Sequence, residues 1–469
     1  MKTLTWFGIA MIFVSLVLAS GTGQAQAIPQ KEETASTQGN TRWVKEYVDQ
    51  PGDVGSHTSI AFDPGNGTPW ISYYDDTNTA LKVAHRVSSG GNCGLSNDWY
   101  CSTVDSSGNV GMYSSIDVHP DDSSLFNNRL VGVAYYDTSN SALKFAEYSC
   151  ITLPCTWRIV TVQDAEVYLG APSYGQYTSL KYTANGNPRI AYYTSNPLGS
   201  DALKFATEVD SGGNCGEGDA AEKWNCETVD SGEGMGQYVS LSKSEFVNTH
   251  IAYYNGNTGD LKYAYYAGFG GNCGTDNTWS CATVDGTDGS DVGKFVSIHA
   301  QANASDKLQF AYYDTTHGKL KYAVHVGGGG NCGEFNNFQC DNIESIGTGL
   351  TKVGISLAVD SNNVPIIAYM NASEDQGPSS LKVAQPAYSL GLLYGNCGPE
   401  TPFSTWQCTF IDGGGAHQDE AAYASIALNP AGLAMIAYSE LETYDSPNEY
   451  NLKIAYQRLM LYLPIVIRN

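Results

Sequence analysis

Carboxylates are the residues in this chain with the most chemistry to offer. There are 48 acidic residues against 24 basic ones, a formal charge of −24 at pH 7. Three of them, Asp75, Asp137 and Asp314, directly follow Tyr-Tyr pairs, and Asp76 follows Asp75. Two carboxylates flanking a glycosidic bond can hydrolyse it by acid and base or nucleophilic catalysis. An acidic surface beside aromatic rings can instead hold a sugar or a protein loop without reacting. Tyr74, Asp75, Asp76, Tyr136, Asp137, Tyr313 and Asp314 are therefore the candidate ligand-binding residues. A second acidic group, Asp285, Asp288 and Asp291, has the oxygen density of a calcium loop without the spacing of a known one. It is the sole metal candidate, and no other cofactor is expected. The eight histidines show no His-x-x-x-His spacing, and no Gly-x-Ser-x-Gly elbow is present. The negative field repels phosphate backbones and anionic lipids, so nucleic acid and membrane surfaces are not expected partners.

Most of these aspartates recur in register, and so do seven lysines in a Leu-Lys element, from Lys82 to Lys453. Repetition points to structure: Asp at a hairpin tip bonds its own backbone two residues on, and a lysine stem packs on a sheet with its head toward a carboxylate. Catalysis needs a few groups whose surroundings push their pKa values apart. Residues repeated blade after blade see near-equivalent surroundings, so the expectation is a non-enzyme that binds carbohydrate or protein without turnover. A glycoside hydrolase or lyase using carboxylates of the loop face is the alternative. Local function is expected in departures from the repeat, such as the segment 285–291 and the insertion 440–445.

The elements that must position these residues are strands. A unit of about 60 residues reads Trp-x-Cys-x-Thr-Val-Asp, then Gly-x-Tyr-x-Ser-Ile, then Ile-Ala-Tyr-Tyr-Asp, then Leu-Lys-aromatic-Ala. Its opening aromatic occurs seven times (Trp43, Trp99, Trp157, Trp224, Trp279, Phe338, Trp406), as does the serine of the short strand, from Ser59 to Ser425. Short segments rich in Val, Ile, Thr and Tyr and bounded by Gly, Asn and Asp are strands joined by turns. Four strands per unit and seven units predict a seven-bladed β-propeller of four-stranded antiparallel blades, because closing the ring leaves only short edges. The first unit begins on a Trp strand at Trp43, and the last ends at Leu452-Lys453 without one. The N-terminal strand must then complete the seventh blade.

Twelve cysteines fall into six neighbouring pairs: Cys93 with Cys101, Cys150 with Cys155, Cys215 with Cys226, Cys273 with Cys281, Cys332 with Cys340, and Cys397 with Cys408. Each lies between the third and fourth strands of one unit, and the seventh blade, whose fourth strand comes from the other end of the chain, has none. Disulfides fit this pattern, and they imply an oxidising compartment.

Residues 1–27 read as a signal peptide, with Lys2, an apolar run from Leu4 to Ala19 and Ala25-Gln26-Ala27 at its end. Residues 28–42 read as a polar tether, 43–457 as the propeller, and 458–469 as an apolar tail that is either a sorting signal or a strand packed on the ring. No other stretch is long and apolar enough to span a membrane. A secreted or cell-surface monomer is expected.

The motifs Gly-x-Tyr-x-Ser-Ile, Ile-Ala-Tyr-Tyr-Asp and Leu-Lys-Tyr-Ala resemble the BNR/sialidase-like propeller repeats of secreted bacterial proteins over about residues 43 to 457. The resemblance implies the architecture. The Ser-x-Asp-x-Gly-x-x-Trp box of those repeats is absent, and none of the seven arginines lies on an inner strand, where a carboxylate-binding triad would stand.

Overall fold

The computed structural model describes residues 41–459 apart from 121–128, 151–153, 166–170, 243–248, 301–307, 351–352, 373–378, 400–404, 414–419 and 443–448. The signal segment, most of the tether, the last ten residues and part of the 440–445 insertion lie outside the described residues.

Seven four-stranded antiparallel sheets make the ring. Blade 1 runs Val54–Phe62, Pro69–Asp75, Ala80–Arg86 and Trp99–Asp105 from axis to rim, and the next five blades repeat this order. Blade 7 is built from Glu420–Leu428, Ala434–Glu442, Glu449–Leu459 and, as its outer strand, Thr41–Asp49. That N-terminal strand pairs antiparallel with Glu449–Leu459, Trp43 opposite Gln457 and Tyr47 opposite Lys453. The expected closure is therefore what forms, and blade 7 carries no disulfide.

The repeated serines explain how neighbouring blades hold register at the axis. Ser59 Oγ accepts the Ile116 N–H of blade 2, and the same bond recurs from Leu180 to Ser115, Leu241 to Ser179, Ile298 to Ser240, Leu357 to Ser297 and Ile426 to Ser356. The seventh bond, Ile60 N–H to Ser425 Oγ at 3.2 Å, joins blade 1 back to blade 7. A hydroxyl satisfies a buried N–H that an edge strand would otherwise leave unpaired.

Between blades, one apolar cluster fills each gap, with Trp99, Trp224 and Trp279 fully buried. All six cysteine pairs are disulfides. Several of the loops they close fold onto the outer strand of the preceding blade: Gly398 N–H bonds Ile343 O at 2.7 Å, and Glu217 N–H bonds Thr161 O at 3.1 Å. The bridges thus brace the rim as well as shortening loops.

Candidate functional site

The inner strands carry a bulge that aims one side chain at the axis. In blade 2 the chain enters at Gly111, φ +110°, where an added Cβ would stand 2.7 Å from the Leu81 Cα of blade 1. Only glycine allows that approach. Two residues later the register breaks: Met112 opposes Tyr136, and the next matched pair is Ser115 with Ala134. Between them Tyr113 sits at φ +55°. The same left-handed conformation recurs at His57, Tyr177, Tyr238, Phe295 and Tyr423, with φ of 53°, 53°, 51°, 55° and 53°. Bulky residues at positive φ cost about 1–3 kcal/mol each and persist only where the surroundings enforce them. Here the enforcing bonds come partly from the next residue: Ser114 Oγ donates to His57 O at 2.9 Å, Thr178 Oγ1 donates to Tyr113 O at 2.5 Å, and Thr58 Oγ1 donates to Tyr423 O.

The result is a palisade of six aromatic rings around the axis. Neighbouring centroids are 4.9 Å apart from Tyr423 to His57, 4.7 Å from His57 to Tyr113, 4.7 Å on to Tyr177, 4.6 Å to Tyr238 and 4.6 Å to Phe295, all tilted. In blade 6 the equivalent residue is Gly354, whose added Cβ would stand 2.0 Å from Ala424 N. The palisade therefore has one gap, between Phe295 and Tyr423. These residues line a well of about 390 Å³, within the size range of small-ligand sites.

Its lining is uncharged at neutral pH. Burial lowers the His57 pKa to about 4, so the imidazole is neutral. Burial raises the pKa values of Tyr113, Tyr177 and Tyr238 above the ordinary tyrosine range. Tyr423 is pushed up to about 12 by burial and by the nearby Asp76 carboxylate. The well offers aromatic faces and hydroxyls, a lining suited to a neutral polyhydroxylated ligand.

The candidate residues from the sequence fall around this well rather than in it. Tyr74 and Tyr136 form a second row, their rings 6.4 Å from His57 and 6.3 Å from Tyr113. Their hydroxyls bond Asn109 and Ser173 of the next blade, and Tyr313 bonds Gly347 O. Asp75, Asp137 and Asp314 are buried and accept bonds from Asn78, Asn140 and His317 three residues on, which fixes the hairpin tips. Asp76 is exposed at the rim and accepts from Ser56 Oγ at 2.6 Å. Asp285, Asp288 and Asp291 have separate partners: Tyr312 and Lys321, Ser290, and Tyr254 with Lys294. Among the described residues no group of three or more His, Cys, Asp or Glu is placed to hold a metal ion.

The repeated lysines pair as their spacing suggests, with the residue six positions after each opening aromatic. Lys82 with Asp49, Lys144 with Asp105, Lys262 with Asp230, Lys321 with Asp285, Lys382 with Glu344 and Lys453 with Asp412 are ion pairs. The carboxylate also accepts a tyrosine hydroxyl, for example Tyr135 to Asp105 at 2.7 Å. Blade 3 departs: Gln163 occupies the carboxylate position, and Lys204 has no ion pair among the described residues. Counting six from Trp157 would have revealed the substitution in the sequence.

No protein-family model matches the chain, and no curated protein matches it by sequence. Solved structures are similar to it in fold. An α-L-arabinofuranosidase from Fusarium graminearum is 13% identical with a TM-score of 0.44, the match covering 71% of this chain and 93% of that one. An α-L-arabinanase from Penicillium chrysogenum is 12% identical at 0.41, covering 79% and 98%. The hemagglutinin-neuraminidase of parainfluenza virus 5 is 8% identical at 0.38, covering 91% and 96%. At these levels the likeness concerns the fold alone, and the propeller resemblance holds at that level. The expectation of a non-enzyme is corrected here: glycoside hydrolases stand among the structures this chain is similar to in fold. Six disulfides, and the absence among the described residues of a helix long and apolar enough to cross a membrane, are consistent with an extracellular protein.

Proposed function

We propose that this chain is a secreted, carbohydrate-active propeller that receives the end of a neutral glycan in its axial well. The observation that carries the reading is the ring of six aromatic side chains held at strained backbone angles around an uncharged well of about 390 Å³. Strain repeated at one level of every blade but the sixth has a purpose beyond packing, since glycine at the same position closes blade 6 without it. Aromatic faces stack on the apolar faces of sugar rings, and the tyrosine hydroxyls supply hydrogen bonds. A protein partner would need a far wider contact than this well provides. The signal segment 1–27, the tether 28–42 and the tail 458–469 belong to the same proposal, as the export and retention parts of a BNR-like surface protein.

Hydrolysis of the bound glycan is a second reading, favoured by two rim carboxylates. Asp76 lies close enough to raise the Tyr423 pKa, and Asp291 acts likewise on Tyr238. A glycan array with the mature protein, run beside a panel of chromogenic glycosides, tests both readings. Binding that is lost in Tyr177→Gly supports the well. Turnover that is lost in Asp76→Asn or Asp291→Asn, with binding kept, supports hydrolysis. No binding to any neutral glycan would refute the proposal.

A further inference from the structure

The axial well has an apolar sector, and the order of the blades shows where it lies. Blades 1, 2 and 3 each give the lining a polar ring residue followed by a hydroxyl, that of Thr58, Ser114 or Thr178. Blades 4 and 7 keep the tyrosine but follow it with Val239 and Ala424. Blades 5 and 6 give Phe295, Val296, Val353, Gly354 and Ile355, without one side-chain donor or acceptor. Polarity therefore falls off on both sides of blade 2. In a closed ring of seven, blade 2 faces the boundary of blades 5 and 6 across the axis, so the hydroxyl-bearing half and the apolar sector oppose each other. The apolar sector is fixed in place. Val353 and Ile355 are buried, 5% and 7% exposed, in the core cluster between blades 5 and 6, and Phe295 packs against the same cluster. Close-packed side chains of this kind do not turn aside to admit a polar group. Phe295 also holds the same left-handed bulge as Tyr113, Tyr177, Tyr238 and Tyr423, so its missing hydroxyl changes the chemistry of the wall without changing its geometry.

A sugar seated in this well presents different edges to its two sides. Hydroxyls toward blades 1 to 4 meet the tyrosine hydroxyls and the His57 imidazole. A hydroxyl toward blades 5 and 6 would leave water without a side-chain partner, and a buried polar group without a partner is destabilising. A methyl group in the same place gains burial against Phe295, Val353 and Ile355. We propose that the well selects a 6-deoxy sugar, a glycan end with a methyl group in place of the hydroxymethyl group of an ordinary hexose, and that this methyl is directed at blades 5 and 6. That selection presupposes the well to be a neutral-glycan site, and it decides among neutral glycans. An acetamido group would bring its methyl together with an amide N–H and a carbonyl, and the sector has no side chain for either. Contact of this kind discriminates against an added hydroxyl by about ten- to hundredfold.

Sugar pairs that differ only in the C6 hydroxyl isolate the contact: the methyl glycosides of L-rhamnose and L-mannose, and those of D-fucose and D-galactose. Calorimetric titration of the mature protein should show the deoxy member of at least one pair bound about tenfold more tightly than its parent. Phe295→Tyr restores the residue that four other blades carry at the same bulge, and Val296→Thr restores the residue of blades 1 and 3. Each should bring the ratio of affinities close to one, at a melting temperature within a few degrees of the wild type. Parent sugars bound as tightly as their deoxy analogues in both pairs, or a ratio that survives both substitutions in folded protein, would overturn the proposal. If neither pair binds while the array retains other neutral glycans, the deoxy-sugar assignment falls and the well remains a glycan site; no binding to any neutral glycan removes both.

Discussion

Replacing Asp105 by Asn separates the charge of the repeated ion pair from its shape. Asn keeps an acceptor for the Tyr135 hydroxyl but removes the charge facing Lys144, which is left with Asp137 at 3.9 Å. Both side chains are nearly buried, 11% exposed for Lys144 and 4% for Asp105. Hydrogen bonds from Lys144, Ser107 and Tyr135 outweigh the opposing effect of burial and hold the Asp105 pKa at about 2, against an ordinary value of 3.8. That difference corresponds to about 2 kcal/mol after allowing for solvent screening. For a cooperative domain of this length, the loss lowers the melting temperature by about 2–3 °C. The sign with pH follows from the lowered pKa. The contribution is complete above the unfolded-state value near 4 and disappears as pH falls through the folded value near 2. Scanning calorimetry of wild type and Asp105→Asn should therefore show a gap at pH 6 that closes between pH 4 and pH 2. A gap of equal size at pH 2, or none at pH 6, would refute the charge account.

Deleting residues 28–49 removes the outer strand of blade 7 and exposes Leu452 and Ile454, which are fully buried. The truncated chain should lose the cooperative melt, and size-exclusion chromatography should find it aggregated. Breaking the Cys273–Cys281 bridge as a double Ser variant should cost about 2–3 kcal/mol in denaturant midpoint analysis, whereas a cost near zero would mean that the rim packing alone holds the loop. Gly354→Ala places a methyl group 2.0 Å from Ala424 N and should destabilise by several kcal/mol, well beyond the usual cost of a surface change.

Blade number, closure and disulfide pairing were legible because each follows from counting. Seven openings, a strand missing at one end and found at the other, and six cysteine pairs for seven blades admit one arrangement. The axial well was not legible for a physical reason. Strand alternation sends Tyr113 and its equivalents to a sheet face, but the bulge after Gly111 puts them in the left-handed region and turns them to the axis. The signal was a glycine two residues ahead of a recurrent aromatic, read as ordinary strand punctuation. The hairpin aspartates were recognised as repeated backbone caps, which is what Asp75 and Asp137 are, whereas the exposed Asp76 lies close to Tyr423 of the well. The blade 3 departure was visible at Gln163 but escaped notice because only aspartates were counted at that position.

The axial well is tested most directly at Tyr177. Glycine is at ease at φ +53°, so Tyr177→Gly removes the ring without breaking the strand. Calorimetric titration with the neutral oligosaccharide best retained on the array should show affinity reduced by about tenfold or more in Tyr177→Gly, at a melting temperature within a few degrees of the wild type. Unchanged affinity in a variant with an intact fold would contradict the assignment of the well as the binding site.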